Sequence, residues 1–305
     1  MSKPDDMETR GGPASAAGEE RLTDLGTVRG LLARHGFRFS KKLGQNFLVN
    51  PSVCPRMAEA CGADADTGVL EIGPGIGVLT RELARRAARV TAVELDGRLL
   101  PVLAETLAAY PNARILQGDA MELDLHRLIG EAFVGLRVAV CANLPYYITS
   151  PLLMRLLESR LPVDNITVMV QKEAAQRLCA RPGTRECGAV TLAVRYYAQP
   201  EVLFPVSRGS FLPAPNVDSA VIRLVIRKAP PCPVRDEALL FRLVRAAFGQ
   251  RRKTLPNALT GAGVGKAAAA EWLRLAGIPE TARAEQLTLE QFAGLANAAA
   301  EHPAL

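Results

Sequence analysis

Four residues, Asn143-Leu144-Pro145-Tyr146, carry the most specific chemistry in the sequence. The side-chain amide of Asn143 and the peptide carbonyl of Leu144 offer two hydrogen-bond acceptors, and Pro145 fixes the turn that aims the second. Such a pair suits an aromatic amino group. That nitrogen is a poor nucleophile because its lone pair is delocalised into the ring. Acceptors that take both N–H hydrogens favour a pyramidal nitrogen whose lone pair points at an electrophilic carbon. Tyr146 then has a flat face to stack on the ring. No strong general base is needed first, since the amine becomes acidic once alkylated; in-line geometry matters most. The plainer reading is a tight strand–helix turn with a packed tyrosine.

A base taken out of a helix or loop needs a second aromatic to clamp it. Phe211, in Ser210-Phe211-Leu212-Pro213-Ala214-Pro215, is the candidate, held by the stiff prolines around it; a core phenylalanine is the alternative.

The electrophile has its own signature upstream. Glu71-Ile72-Gly73-Pro74-Gly75-Ile76-Gly77 ends one apolar run and leads into a helix, with Gly73 and Gly75 letting the backbone approach a ligand closely. The spacing is G-x-G-x-G, neither a dinucleotide fingerprint nor a phosphate loop, so the expected ligand is nucleoside-like without a pyrophosphate. The next two runs end in acids. Glu94 can accept from both ribose hydroxyls, and Asp119 from an adenine amino group. Either acid could instead cap the following helix, as is expected of Asp96. Glycine loop, Glu and Asp on consecutive strand ends point to S-adenosylmethionine, whose cationic sulfonium suits a carboxylate-rich site.

These residues need a scaffold that brings them to one edge. Short apolar or β-branched runs at 69–73, 89–95, 114–119, 137–144 and 165–173 alternate with amphipathic segments marked by Leu79, Leu83 and Ala87, and by Leu99, Leu103 and Leu107. This alternation predicts a parallel sheet with helices on both faces, and right-handed crossovers put every strand's C-terminal end on one side. Runs near 195–206 and 219–227 are expected to add an antiparallel pair at the sheet edge. Leu25–Arg34 reads as a short helix, and residues 1 to about 20 as a disordered tail with almost nothing to bury. Beyond Pro230-Pro231-Cys232-Pro233 the pattern is helical only.

Composition narrows the remaining possibilities. The chain has 305 residues, 49% hydrophobic and 22% charged, with a formal net charge of +6, compatible with a polyanionic partner. No apolar run reaches the roughly 20 residues of a membrane helix, and no secretory signal is evident, so a cytoplasmic protein with no membrane partner is expected. The six cysteines form no C-x-x-C pair and only three histidines are present, so no metal site is expected. Buried or incidental thiols are the expected role for the cysteines.

Taken in order, KKLGQNFLVN (41–50), LEIGPGIGVLT (70–80), VELD (93–96), QGDA (117–120), NLPYYITSPLL (143–153), QKEAAQRL (171–178), FLPAPNVDSAV (211–221) and AFGQRRKTLPNAL (247–259) resemble the ribosomal RNA adenine dimethyltransferases. The resemblance runs from about residue 23 to 300 and is strongest to the bacterial members that dimethylate N6 of two adjacent adenosines near the 3′ end of 16S rRNA. It implies an α/β fold of the class I S-adenosylmethionine-dependent methyltransferase type, Rossmann-like, plus a small all-helical C-terminal domain. The expected layout is a disordered tail over 1–22, a catalytic domain over 23–229 and a helical RNA-binding domain over 234–305. By position it implies Asn46, Leu48, Gly73, Gly75, Glu94, Asp119 and Asn143 as cofactor contacts, and Asn143, Leu144, Pro145, Tyr146 and Phe211 as the catalytic set. Asn46 is identified by the resemblance alone. The segment 241–255 carries Arg242, Arg245, Arg251, Arg252 and Lys253 without an acid, and Arg251, Arg252 and Lys253 are expected to meet RNA phosphates. A solvated charged face is the plainer reading. The implied partner is the small ribosomal subunit as a pre-30S particle, met by a monomeric enzyme that contributes to subunit maturation. The competing readings are a macrolide-resistance methylase of 23S rRNA, a mainly non-catalytic ribosome assembly factor and, more distantly, a nicotinamide-dependent oxidoreductase.

Overall fold

The computed structural model describes residues 21–40 and 43–303. The expected tail therefore lies outside the described residues except for Arg21 and Leu22. Leu22 is buried beside Val28 and Leu31, so packed chain already begins within the span assigned to the tail.

Helix α1 (Leu25–Arg34) has the expected limits, with Asp24 accepting from Thr27 N as its N-cap. A two-residue strand β1 (Phe47–Leu48) and helix α2 (Val53–Ala60) follow. Strands and helices then alternate: β2 (Thr67–Ile72), α3 (Val78–Ala84), β3 (Arg89–Glu94), α4 (Leu100–Thr106), β4 (Ala113–Gln117), α5 (Leu125–Ala132), β5 (Arg137–Asn143), α6 (Thr149–Glu158) and β6 (Asn165–Gln171). Helices α7 (Lys172–Cys179) and α8 (Ala189–Tyr197) lead to β7 (Ala198–Val206), the two-residue β8 (Phe211–Leu212) and β9 (Ser219–Ile226). Four helices close the chain: α9 (Glu237–Gly249), α10 (Leu255–Gly261), α11 (Lys266–Leu275) and α12 (Leu289–Glu301).

Seven strands form one sheet in the order β4-β3-β2-β5-β6-β9-β7, parallel from β4 to β6 and antiparallel for β9 and β7 at the edge. The order reverses between β2 and β5, where strand ends diverge and open a crevice. Period-two alternation explains why the sheet is buried on both faces. Leu70, Val140, Ala142 and Val168 enter the core under α6 and α8, whereas Val69, Ala139, Cys141 and Met169 enter a second core with α2 and α3. A third cluster joins α1 to α4 through Leu31, Val102 and Leu103. Outside this sheet β1 pairs antiparallel with β8, a union of segments far apart in sequence that no local pattern signals.

The proline cluster at 230–233 separates elements rather than cores. One apolar cluster runs from Leu152 and Val168 through Leu240 and Val244 to Phe292. At the junction, Phe241 of α9 meets Tyr196 and Tyr197 of α8 at ring-centroid distances of 5.3 and 5.7 Å. No helix among the described residues is long and apolar enough to cross a membrane.

Candidate active site

The C-terminal ends of β2, β3, β4 and β5 surround an open cleft, which residues 43–48 also line. Its wall begins where β2 turns. Gly73 and Gly75 have φ of +73° and +60°, left-handed values that strain any other residue. A Cβ on Gly75 would lie 3.2 Å from the Phe47 ring, so the close approach of β1 to the loop also needs glycine there.

Glu94, at the end of β3, is buried. One carboxylate oxygen accepts from Gly75 N at 3.3 Å and the other from Asp96 N at 2.8 Å. Burial raises its pKa, and those two amides offset part of the effect. Asp96 does cap the next turn: it accepts from Arg98 N at 3.1 Å and from the Arg98 guanidinium, which helps to lower its pKa to about 2. Asp96 also accepts from Gln45 Nε2 at 2.8 Å, so this acid ties the segment before β1 to the end of β3. Asp119 is both cap and lining residue, since Oδ1 accepts from Met121 N at 2.8 Å while the residue faces the cleft.

Glu71, second from the end of β2, was not singled out in the sequence. It is 1% exposed, lines the cleft, and its Oε2 has no hydrogen-bond partner. Burial pushes its pKa up to about 8; the Thr80 hydroxyl offsets this only in part, and the Glu94 carboxylate adds to it. An acid inside an otherwise apolar strand was the available signal.

The segment carrying Asn46 and Leu48 lies along the cleft. Leu48 pairs with Phe211 across β1 and β8, and beyond the pair Val49 N donates to Ser210 O at 2.8 Å. Asn46 Nδ2 donates to Gly44 O, and the Asn46 carbonyl accepts from Asn143 Nδ2 at 3.4 Å. With that nitrogen turned to Asn46, the Asn143 Oδ1 keeps its acceptor capacity, and nothing among the described residues donates to it. Leu144 is buried, with its N–H donating to Met169 O at 3.3 Å, and Pro145 holds φ at −57° before a single 3₁₀ turn over Tyr146–Ile148. Tyr146 is half-buried in the wall, its hydroxyl 2.8 Å from Ser219 Oγ.

Phe211 lines the cleft but is only 4% exposed, packed beside Leu48 and Met57. It is therefore a core ring at the cleft floor, and it reaches a ligand only from inside the cavity. The exposed aromatic at the mouth is Tyr147, 54% exposed, whose ring would lie 3.4 Å from a Cβ on Gly44. Tyr147 and Gln45 adjoin residues that were singled out, and the second tyrosine of the pair was the readable hint.

The basic segment lies away from this cleft, and its residues differ in environment. Helix α9 ends at Gly249, with Arg242 and Arg245 exposed along it, and Arg251, Arg252 and Lys253 occupy the turn that follows. Arg251 Nη2 donates to the carbonyls of Arg185 at 2.6 Å and Cys187 at 3.1 Å, so this guanidinium splints the turn to the loop before α8. Arg252 and Lys253 face solvent. The six cysteines are free thiols, five buried and Cys179 half-buried, and no group of His, Cys, Asp or Glu among the described residues could hold a metal. The three histidines all lie outside the cleft lining.

The sequence profile of the family described as ribosomal RNA adenine dimethylase matches residues 36–301. The ribosomal RNA small subunit methyltransferase A of Geobacillus thermodenitrificans is 50% identical over 279 residues, spanning 90% of this chain and 95% of that protein. The crystal structure of the 23S rRNA methyltransferase ErmE is similar with a TM-score of 0.63 and 29% identity, over 83% of this chain and 99% of that one. A dimethyladenosine transferase from Plasmodium falciparum shares the fold at a TM-score of 0.68 and 24% identity, over 84% and 98% of the two chains. With its strand order, its glycine loop and its Asn-Leu-Pro-Tyr turn on one cleft, the chain belongs to the ribosomal RNA adenine dimethylase family.

Proposed function

We propose that this chain uses S-adenosylmethionine to dimethylate N6 of two adjacent adenosines near the 3′ end of 16S rRNA, as a cytoplasmic monomer acting on pre-30S particles. The observation that carries the reading is the meeting of Asn143, with a free amide oxygen, and the Gly73–Gly75 turn with Glu94 in one cleft.

The lining fits the cofactor. The glycine turn leaves a space that a Cβ would narrow, and Glu71 and Glu94 supply buried carboxyl oxygens where a cationic, nucleoside-bearing ligand needs acceptors. Glu94 would hold the ribose, Asp119 the adenine amino group, and Asn46 and Leu48 would close over the ligand from the side. When bound, S-adenosylmethionine supplies an electrophilic methyl group.

Every other part of the reaction falls to the protein. Asn143 Oδ1 and the Leu144 carbonyl accept the two N6 hydrogens and turn the nitrogen lone pair towards the cofactor side of the cleft. Pro145 keeps that carbonyl aimed, and Tyr146 faces the adenine plane. The proton is lost to water after transfer, so the absence of histidine from the lining is no obstacle. The second methylation reuses the same acceptors, with one N–H left to hold.

The helical segment from α9 to α12 is proposed to grip rRNA. Arg252 and Lys253 would neutralise phosphates while Arg251 fixes the turn that presents them. Specificity for the small subunit is favoured over 23S rRNA by the 50% identity to a small-subunit enzyme against 29% to ErmE.

The test uses radiolabelled cofactor with unmethylated pre-30S particles and, separately, naked 23S rRNA. Label is expected in dimethyladenosine of 16S rRNA only, and Asn143→Ala is expected to lower the rate about 100-fold or more. Label confined to 23S rRNA refutes the substrate, and an unimpaired Asn143→Ala enzyme refutes the assigned chemistry.

A further inference from the structure

One wall of the cleft is tied to a buried hydroxyl that the reaction chemistry does not explain. Ser219 is the first residue of β9 and is 0% exposed, paired on one side with Gln171 of β6 and on the other with Val206 of β7. A hydroxyl at such a position costs free energy unless it is hydrogen-bonded, and alanine would fit with less penalty. Its side-chain partner is the Tyr146 hydroxyl at 2.8 Å.

That contact has a mechanical consequence for Tyr146. The ring springs from a single 3₁₀ turn after Pro145, which leaves the swing of the side chain about its two χ angles to be set by what its far end touches. Ser219 supplies that second fixed point from the interior of the sheet. The residue before it is itself braced: Asp218 Oδ1 accepts from Arg208 N at 3.0 Å, and its carbonyl accepts from Lys172 N at 2.9 Å. A rigid strand therefore holds one end of the tyrosine, and the Asn-Leu-Pro turn holds the other.

We propose that Ser219 is a positioning residue for methyl transfer, tethering the Tyr146 hydroxyl so that the ring stands at the tilt an acceptor base needs. The assignment rests on the reading above that Tyr146 faces the base. It acts on the geometry of the reacting complex rather than on affinity, because Ser219 is fully buried and lies outside the cleft lining.

The experiment compares Ser219→Ala, Tyr146→Phe and the double variant, each with unmethylated 30S particles at saturating cofactor, alongside Tyr146→Ala. Ser219→Ala and Tyr146→Phe are each expected to lower kcat about five- to tenfold, the loss of one hydrogen bond. KM for the particle and the Kd for S-adenosylhomocysteine are expected to stay within about twofold. The double variant is expected to be no slower than either single one, since both remove the same bond. Wild-type kcat in Ser219→Ala or in Tyr146→Phe overturns the tether, as does a double variant in which the two losses multiply. So does a loss that appears in KM or cofactor affinity instead of kcat. If Tyr146→Ala is inactive while Tyr146→Phe is normal, the tether is wrong and the stacking reading survives; if Tyr146→Ala is fully active, the stacking reading itself fails. Should Ser219→Ala not fold, Tyr146→Phe, on a half-buried ring, decides the question by the same kcat criterion.

Discussion

Replacing Glu71 with glutamine should make the cofactor-free protein more stable, and increasingly so as the pH rises. The carboxyl is buried with an unpartnered oxygen, and its pKa is raised from 4.5 to about 8. The folded protein therefore keeps a proton that the unfolded chain releases, so the protonated group supports folding fully below pH 4.5 and that support is lost as pH climbs towards 8. Within this window the loss runs at about 1.4 kcal/mol per pH unit. Between pH 6 and pH 9 the wild type should thus lose about 3 kcal/mol relative to Glu71→Gln, as a ceiling before relaxation and water entry reduce it. At about 2 °C per kcal/mol for a chain of this size, the gap in Tm should widen by up to about 6 °C. Thermal and urea unfolding of both proteins at half-unit pH steps measure it directly. Parallel Tm curves from pH 5 to pH 9 would show that Glu71 is ionised or solvated in the folded state, and would refute the burial argument.

Glu94→Gln should weaken binding of S-adenosylhomocysteine about 10- to 100-fold by calorimetry, because a charge-assisted acceptor is replaced by a neutral amide. Unchanged affinity would remove Glu94 from the ligand site. In the helical region, Arg252→Ala with Lys253→Ala should make the plot of log Kd for rRNA against log salt shallower by about 1 to 2 with Tm unchanged. Arg251→Ala should instead cost about 1 kcal/mol of stability through its lost carbonyl contacts, seen as a lower Tm. Equal salt effects from both changes would contradict the separate roles given to neighbouring cations.

The scaffold was legible in the sequence because its signals are local. Strand–helix alternation, the limits of α1, the cap formed by Asp96 and the acids or glycines at strand ends depend on residues within a few positions of one another. Once right-handed crossovers are assumed, Gly73, Glu94, Asp119 and Asn143 must share an edge. The edge pair β7 and β9 followed from the same patterning, although β9 inserts between β6 and β7, so the pairing order is a result of packing. Asn46 and Leu48 came from family resemblance, since nothing in their types or spacing signals a ligand.

By itself, then, the sequence determined the fold class, the edge to which the strand ends bring their acids and glycines, and the four-residue turn proposed to carry the chemistry, because periodicity and turn residues act over short range. Only the tertiary structure decided the contacts between distant segments: β1 against β8, Gln45 against Asp96, Tyr146 against Ser219, and Arg251 against the loop before α8. It also decided burial, which placed Phe211 in the floor of the cleft and set the protonation of Glu71. Desolvation and long-range hydrogen bonds depend on which surfaces the folded chain closes together, and no window of sequence encodes that.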